Sequence, residues 1–268
     1  MNTTTTSAPS VRRGRAAAAI GDALLVSQRN LIRYLRIPTL LVFSTIQPVM
    51  FVLLFRYVFG GAINAGGGLS YVDFLMPGIF VQTVVFGSTQ TGVGLAEDLS
   101  GGMIDRFRSL PMARSAVLAG RTLSDTVRNV FVIGLMMTVG FAVGFRIHTN
   151  PIAALGGVAL ALMFGHAFSW ISALIGLVVR DVESTQAASF IWIFPLTFAS
   201  SAFVPVASMP GWLQAWAKVN PVSITVDAMR GLLVAGPILK PTLQAVAWIA
   251  GMMIVFVPTA IRRYRTIA

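Results

Sequence analysis

Six long apolar stretches, at about 39–59, 72–95, 126–145, 152–179, 184–204 and 241–261, account for much of this chain. Each offers about the ~20 residues that an α-helix needs to cross the hydrocarbon of a bilayer. A helix satisfies its backbone amides and carbonyls within its own segment, as a lipid surround demands. Most of the charge lies in the segments between and before these stretches. Composition agrees, since only 11% of residues are charged, against about 25% in a soluble domain. The expected fold is all-α and integral to a membrane. It forms one domain over 16–268, behind a polar tail at 1–15 that is expected to be disordered.

The net charge is +11. Its distribution argues against nucleic acid, because the arginines flank apolar stretches rather than interleave with surface aromatics. With the N-terminus in the cytoplasm, fifteen lysines and arginines fall inside and four outside, with Arg56 at a span end. That bias predicts that both termini are cytoplasmic. The chain has no cysteine and two histidines, which excludes disulfides, thiolate chemistry and a histidine-based metal cluster. No G-x-x-x-x-G-K-S/T occurs, and no carboxylates form an evident catalytic pair. No cleaved signal peptide is expected.

Residues 16–37 read as an amphipathic interfacial helix. Ile20, Leu24, Leu31 and Leu35 share one face, with Asp22, Arg29, Arg33 and Arg36 opposite; a soluble basic helix is the alternative. On the second span, Thr83, Gly87, Gln90, Thr91 and Gly94 share a face that suits close helix packing or a polar pathway. Gly140 and Gly144 give a GxxxG spacing in the third. His166 lies mid-span, either hydrogen-bonded to a neighbouring helix or part of a proton relay. Pro195 predicts a kink. Residues 205–237 are too broken by proline for one span and too apolar for a loop, so two short helices are expected. The first carries Trp212, Leu213 and Trp216; the second has Asn220 as N-cap and Pro221 at N1.

The densest charge lies from Glu97 to Asp125. Gly101 and Gly102 should end the incoming helix, and Pro111 should end a short helical piece between the spans. A compact charged hairpin at the membrane surface is expected. It is either an ordinary solvated loop or a handle by which a soluble partner moves two spans.

The order of these parts, with Gly101-Gly102, RFRSLPMARSAVLAGR at 106–121, GFRIHTNP at 144–151 and NPVSITVDAMRGLLVAGP at 220–237, resembles the ABC-2 type permeases. Within them it is similar to the daunorubicin-resistance type of actinobacterial drug exporter. The resemblance covers nearly the whole chain. It implies six transmembrane helices, a cytoplasmic coupling helix between spans two and three, and short external re-entrant helices between spans five and six.

The resemblance also places the coupling helix at about Gly102 to Leu110. Asp105, Arg106, Phe107 and Arg108 would face the ATPase, with Glu97 and Asp98 just before them. Two copies of a separate ABC ATPase, carrying the ATP and Mg, and a second permease, identical or related, are the implied partners. This chain itself would hold no cofactor and would sit in the plasma (inner) membrane. Phe51, Phe55, Phe80, Phe86, Phe190, Trp192 and Phe194 are the pathway candidates, for a hydrophobic drug-like or lipid-like cargo. An ion- or proton-coupled carrier using His166 is the alternative, and a membrane anchor for a cytosolic partner a third.

Overall fold

The computed structural model describes residues 15–36, 38–61, 63, 69–102 and 114–267. Among them the regular elements are all helical. Helix α1 spans Arg15–Arg36, and α2 spans Pro38–Leu54 and runs on as a π-turn over Phe55–Phe59. Helices α3 (Tyr71–Gly87) and α4 (Thr89–Ser100) lie end to end. Then come α5 (Arg114–Ala142), α6 (Pro151–Val179), α7 (Val182–Phe198), α8 (Gly211–Val219), α9 (Pro221–Leu233) and α10 (Leu239–Ile267). Four helical stretches are long and apolar enough to cross a membrane: Tyr71–Ser100, Ala116–Ala142, Pro151–Val179 and Leu239–Ile267. Helices α2 and α7 are shorter, at 17 residues each.

Local chemistry sets the helix ends. The Ser70 hydroxyl accepts from the Asp73 amide at 3.1 Å to open α3. Asn150 accepts from the Ala153 amide at 2.7 Å to open α6, with Pro151 in the first turn. Arg180, at φ 65°, closes α6 in the left-handed conformation. Asp181 then caps α7 through the Ser184 amide at 2.8 Å. That bond holds its carboxyl below the usual range. Asn220 serves two helices at once. Its Oδ1 accepts from the Val222 amide at 2.9 Å, and its Nδ2 donates to the Leu196 and Ala199 carbonyls at the end of α7, at 2.7 and 3.1 Å.

Helix α6 is the hub, packing against α3, α4, α5, α7, α9 and α10. Every residue of α3 from Tyr71 to Val85 is buried, so this helix is enclosed on all sides. Between α4 and α6 the backbones touch. A Cβ on Gly176 would fall 2.3 Å from the Gly92 carbonyl oxygen, and one on Gly92 would fall 2.3 Å from that of Ser172. Helices α3 and α4 meet at Ser88, whose amide is shared between the Val84 and Val85 carbonyls at 3.1 and 3.2 Å. Its hydroxyl donates to Val85 O at 2.6 Å and lies 3.3 Å from that of Ser172.

At the far end of the bundle from α1, Arg230 binds α9 to α3 and to the irregular segment after α7. It donates to the Phe74 carbonyl at 3.0 Å and the Ala202 carbonyl at 3.3 Å, pairs with Asp227 at 3.0 Å, and lies 3.6 Å over the Phe74 ring. The Tyr71 hydroxyl donates to Phe203 O at 3.0 Å beside it.

Several expected boundaries shift. The second span continues as helix to Ser100, where the Gly101 amide returns to Glu97 O at 2.9 Å and Gly102 takes φ +68°. The third begins at Arg114, so the charged residues 97–100 and 114–125 are helical, and the rest of the expected hairpin, with the helical piece ended by Pro111, lies outside the described residues. It ends at Ala142, and Gly144 (φ +103°) makes the turn instead of completing a helix-packing motif. The fifth stops at Phe198, just past Pro195, where the chain breaks toward the Asn220 cap. Helix α1 packs on α5 through Val26, Ser27 and Asn30, with the Ala23 carbonyl against Gly120, while Ile20 and Leu24 stay exposed, at 62% and 55%.

Candidate functional site

On α5, Arg121, Asp125 and Arg128 recur at helical spacing and face the α3–α4 helix. Glycine makes the approach possible: a Cβ on Gly94 would lie 1.4 Å from the Arg121 guanidinium. Arg121 pairs with Asp98 at 3.4 Å and donates to the Gln90 carbonyl at 3.4 Å. Arg128 pairs with Asp125 at 3.7 Å and donates to the Gly87 carbonyl at 2.6 Å. The Thr91 hydroxyl donates to Asp125, which is fully buried. Arg29 of α1 reaches Asp98 at 3.8 Å. A buried seam of charge thus joins α4 and α5, and the half-exposed Arg29 of α1 meets its edge. Removing one partner of such a pair costs about 3–5 kcal/mol, because the other charge stays buried.

Beside the seam lies a cavity of about 300 Å³, walled by α1, α2, α3–α4, α5 and α7. Thr83, Gly87, Gln90 and Gly94 line it, so the polar face of the second span is one of its walls. Phe86 and Phe190 meet edge to face at 5.6 Å on another, near Phe51.

Of the pathway candidates, Phe51, Phe86 and Phe190 come together at this cavity. Phe55 stacks on Phe203 at 4.7 Å, and Phe80 packs in the core against Phe145 at 6.0 Å. Trp192 stacks on Phe168 at 5.4 Å, and Phe194 on Phe198 at 4.3 Å. Of the residues expected around the coupling helix, Glu97 lines the cavity and Asp98 belongs to the seam. Gly102 ends the described segment, and Asp105, Arg106, Phe107, Arg108 and Leu110 lie outside the described residues. Sequence reasoning missed Arg121, Asp125, Arg128, Gln82 and Asn129. The recurrence of charge at 121, 125 and 128, on one helical face, is the signal that could have found the first three.

His166 is tied on both ring nitrogens. The Trp170 indole N–H donates to Nε2 at 3.2 Å, and Nδ1 lies 2.9 Å from the Thr126 hydroxyl. An indole N–H can only donate, so Nε2 is unprotonated and the ring is neutral. His166→Leu should lower stability by about 1–3 kcal/mol, since it strands the buried indole. Thermal unfolding in detergent should show that loss, with the pH profile of transport unchanged. Among the described residues, no group of three His, Cys, Asp or Glu could hold a metal ion.

Residues 22–234 match the ABC-2 type transporter family. The chain belongs to that family. It is similar to the daunorubicin resistance ABC transporter permease protein DrrB1 of Streptomyces coeruleorubidus, 34% identical over 93% of this chain and 88% of the relative. The probable doxorubicin resistance ABC transporter permease protein DrrC of Mycobacterium tuberculosis is 29% identical over 90% and 88%. The putative transport permease ycf38 of Cyanophora paradoxa is 26% identical over 80% and 74%. This ABC-2 protein is therefore a membrane permease subunit of an ABC exporter.

Proposed function

We propose that this permease carries a hydrophobic drug-like or lipid-like substrate out of the cytoplasm or inner leaflet, powered by two copies of a separate ATPase that hold the ATP and Mg. A second permease, identical or related, completes the pathway. Helices α2 and α7 join the four long spans to make six, both termini are cytoplasmic, and the membrane is the plasma (inner) membrane. The helices α8 and α9 cap the external side as re-entrant elements. This chain itself holds no cofactor.

The observation that carries the mechanical part is the buried seam. Residues 103–113 connect α4 to α5, and the Arg121–Asp98 pair ties those two helices at the same end. A push on the connection therefore moves α4 and α5 as one body, and α1 with them through its packing on α5 at Ala23 and Val26. Phe107, flanked by Arg106 and Arg108, supplies an aromatic anchor between charged groups, the pattern of interface hot spots.

The test is co-expression with the ATPase encoded beside this chain. Phe107→Ala, or Arg106→Glu with Arg108→Glu, should cut ATP-driven efflux by about 30-fold or more, the scale of losing one ~2 kcal/mol hot spot. The amount of permease in the membrane should not change. Wild-type efflux in both variants would move the coupling contact elsewhere.

A further inference from the structure

Helix α10 ends in a fan of arginines. Arg262, Arg263 and Arg265 are exposed, while Tyr264 among them is buried in one cluster with Leu118, Trp170 and Leu177. Successive side chains on a helix turn by about 100°. With Tyr264 pointing into the bundle, Arg262 stands on the opposite side, and Arg263 and Arg265 stand on the two flanks. The packing of the tyrosine thus fixes the direction of the whole fan, away from the protein.

The surrounding helices supply no counter-charge. Helix α10 carries no acid of its own and packs on α5, α6 and α9. Helix α6 has none either, and the single acids of α5 and α9 are already matched. Asp125 pairs with Arg128 at 3.7 Å, and Asp227 with Arg230 at 3.0 Å. Three cations within one turn repel one another, so an anion placed among them is attracted by all three.

The level of the fan narrows the anion. From Lys240 to Arg262 the helix is roughly 33 Å long at ~1.5 Å per residue, close to the ~30 Å of bilayer hydrocarbon. Ile254 and Val255, some two turns before Arg262, are exposed apolar residues that suit lipid chains. The fan therefore meets the headgroup layer, where the anions are phosphates. Guanidinium groups bind phosphate through paired N–H bonds.

We propose that the end of α10 binds an anionic phospholipid, its phosphate held by Arg262, Arg263 and Arg265 and its acyl chains lying against Ile254 and Val255. Such a site requires that α10 span the bilayer. It is independent of the cargo, the ATPase and the leaflet in which α10 ends.

Native mass spectrometry of the full chain tests this, with equimolar phosphatidylglycerol and phosphatidylcholine of identical acyl chains added to the solubilised protein. One phosphatidylglycerol per chain should bind about tenfold more tightly than phosphatidylcholine, the low end for three arginines beside anionic lipid. Arg262→Gln, Arg263→Gln and Arg265→Gln together should abolish that preference. The same three positions changed to Lys keep the charge without the fork and should retain part of it. Arg36→Gln, at an exposed arginine of α1, should leave it intact. Glycerophosphoglycerol, the headgroup without chains, should not displace the lipid at the same concentration.

Equal binding of the two lipids by the wild type means arginines that are merely solvated, and overturns the proposal. So does a preference that survives the triple Gln change, one that falls as far in Arg36→Gln, or displacement by the free headgroup. If the triple variant does not fold, Arg263→Gln and Arg265→Gln are measured singly, each expected to weaken binding about threefold. A triple variant that keeps the preference but no longer co-purifies with the ATPase would make the fan a protein-docking surface, which also overturns the lipid assignment. The lipid measurement involves no ATPase, so its failure leaves the exporter reading standing, and a failed exporter reading leaves this site standing.

Discussion

Arg230→Met is expected to leave little folded permease in the membrane. The wild-type guanidinium donates to the Phe74 and Ala202 carbonyls, pairs with Asp227 at 3.0 Å and covers the Phe74 ring. Methionine matches its length but donates nothing. The Ser201 and Ala202 carbonyls after α7, where the backbone has left the helix, would lose their donor, at about 1–3 kcal/mol for each group left buried and unsatisfied. Losing the pair with Asp227 adds little, because Asp227 is half exposed and retains a bond from the Ser201 hydroxyl at 3.0 Å. Against a whole-protein stability of about 5–15 kcal/mol, that sum is decisive. Arg230→Lys keeps the charge without the fork and should fall between the two. Size-exclusion profiles and melting curves of the three solubilised proteins give the ranking. A methionine variant that melts with the wild type would show that the network contributes nothing to stability.

Gly176→Val is the second severe change. Its Cβ would lie 2.3 Å from the Gly92 carbonyl oxygen, and the obstacle is backbone, which cannot turn aside as a side chain can. Helices α4 and α6 would have to separate, opening the contact on which the hub depends. Overpacking of this kind typically costs about 1–3 kcal/mol and sometimes more, and here it also strains the seam that α4 shares with α5. Gly134→Ala and Gly251→Ala are the controls. Neither Cβ meets an atom within 4 Å, and alanine should stabilise each helix by up to about 1 kcal/mol. A melting temperature well below wild type for Gly176→Val, with both alanine controls at or above it, is the expected pattern. Equal melting of all four proteins would mean that the α4–α6 crossing is loose.

Much of this architecture is legible in the sequence, for identifiable reasons. Asn220-Pro221 announces a helix start because the side chain caps while proline fixes φ and lacks the amide that a first turn would leave unused. The polar face at Thr83, Gly87, Gln90 and Gly94 is visible because it repeats at helical spacing, and it lines the cavity. What stays hidden has a common cause. Reading charge as surface hides Arg121, Asp125 and Arg128, since nothing local shows that Gly94 leaves room for a guanidinium. The contact of α1 with α5 is hidden as well, since nothing local shows that Ala23 and Gly120 let the two backbones approach. The second role of Asn220, at the end of α7, depends on an approach across 24 residues that no local pattern announces.

The junction at Ser88 gives the enclosed second span two separate allegiances. Above it, α3 is bolted to the Arg230 network through Phe74 and Tyr71; below it, α4 is bolted to α5 and α1 through Asp98 and Arg121. Phe86 and Gly87 lie on one side of the junction and Thr89 and Gln90 on the other, and all four line the cavity. A swivel at this joint would deform the chamber while the Arg230 end of α3 stays fixed. One helix thus holds the parts that a lever needs: an arm held by the Arg230 network, an arm held by the charged seam, and a joint at the chamber wall.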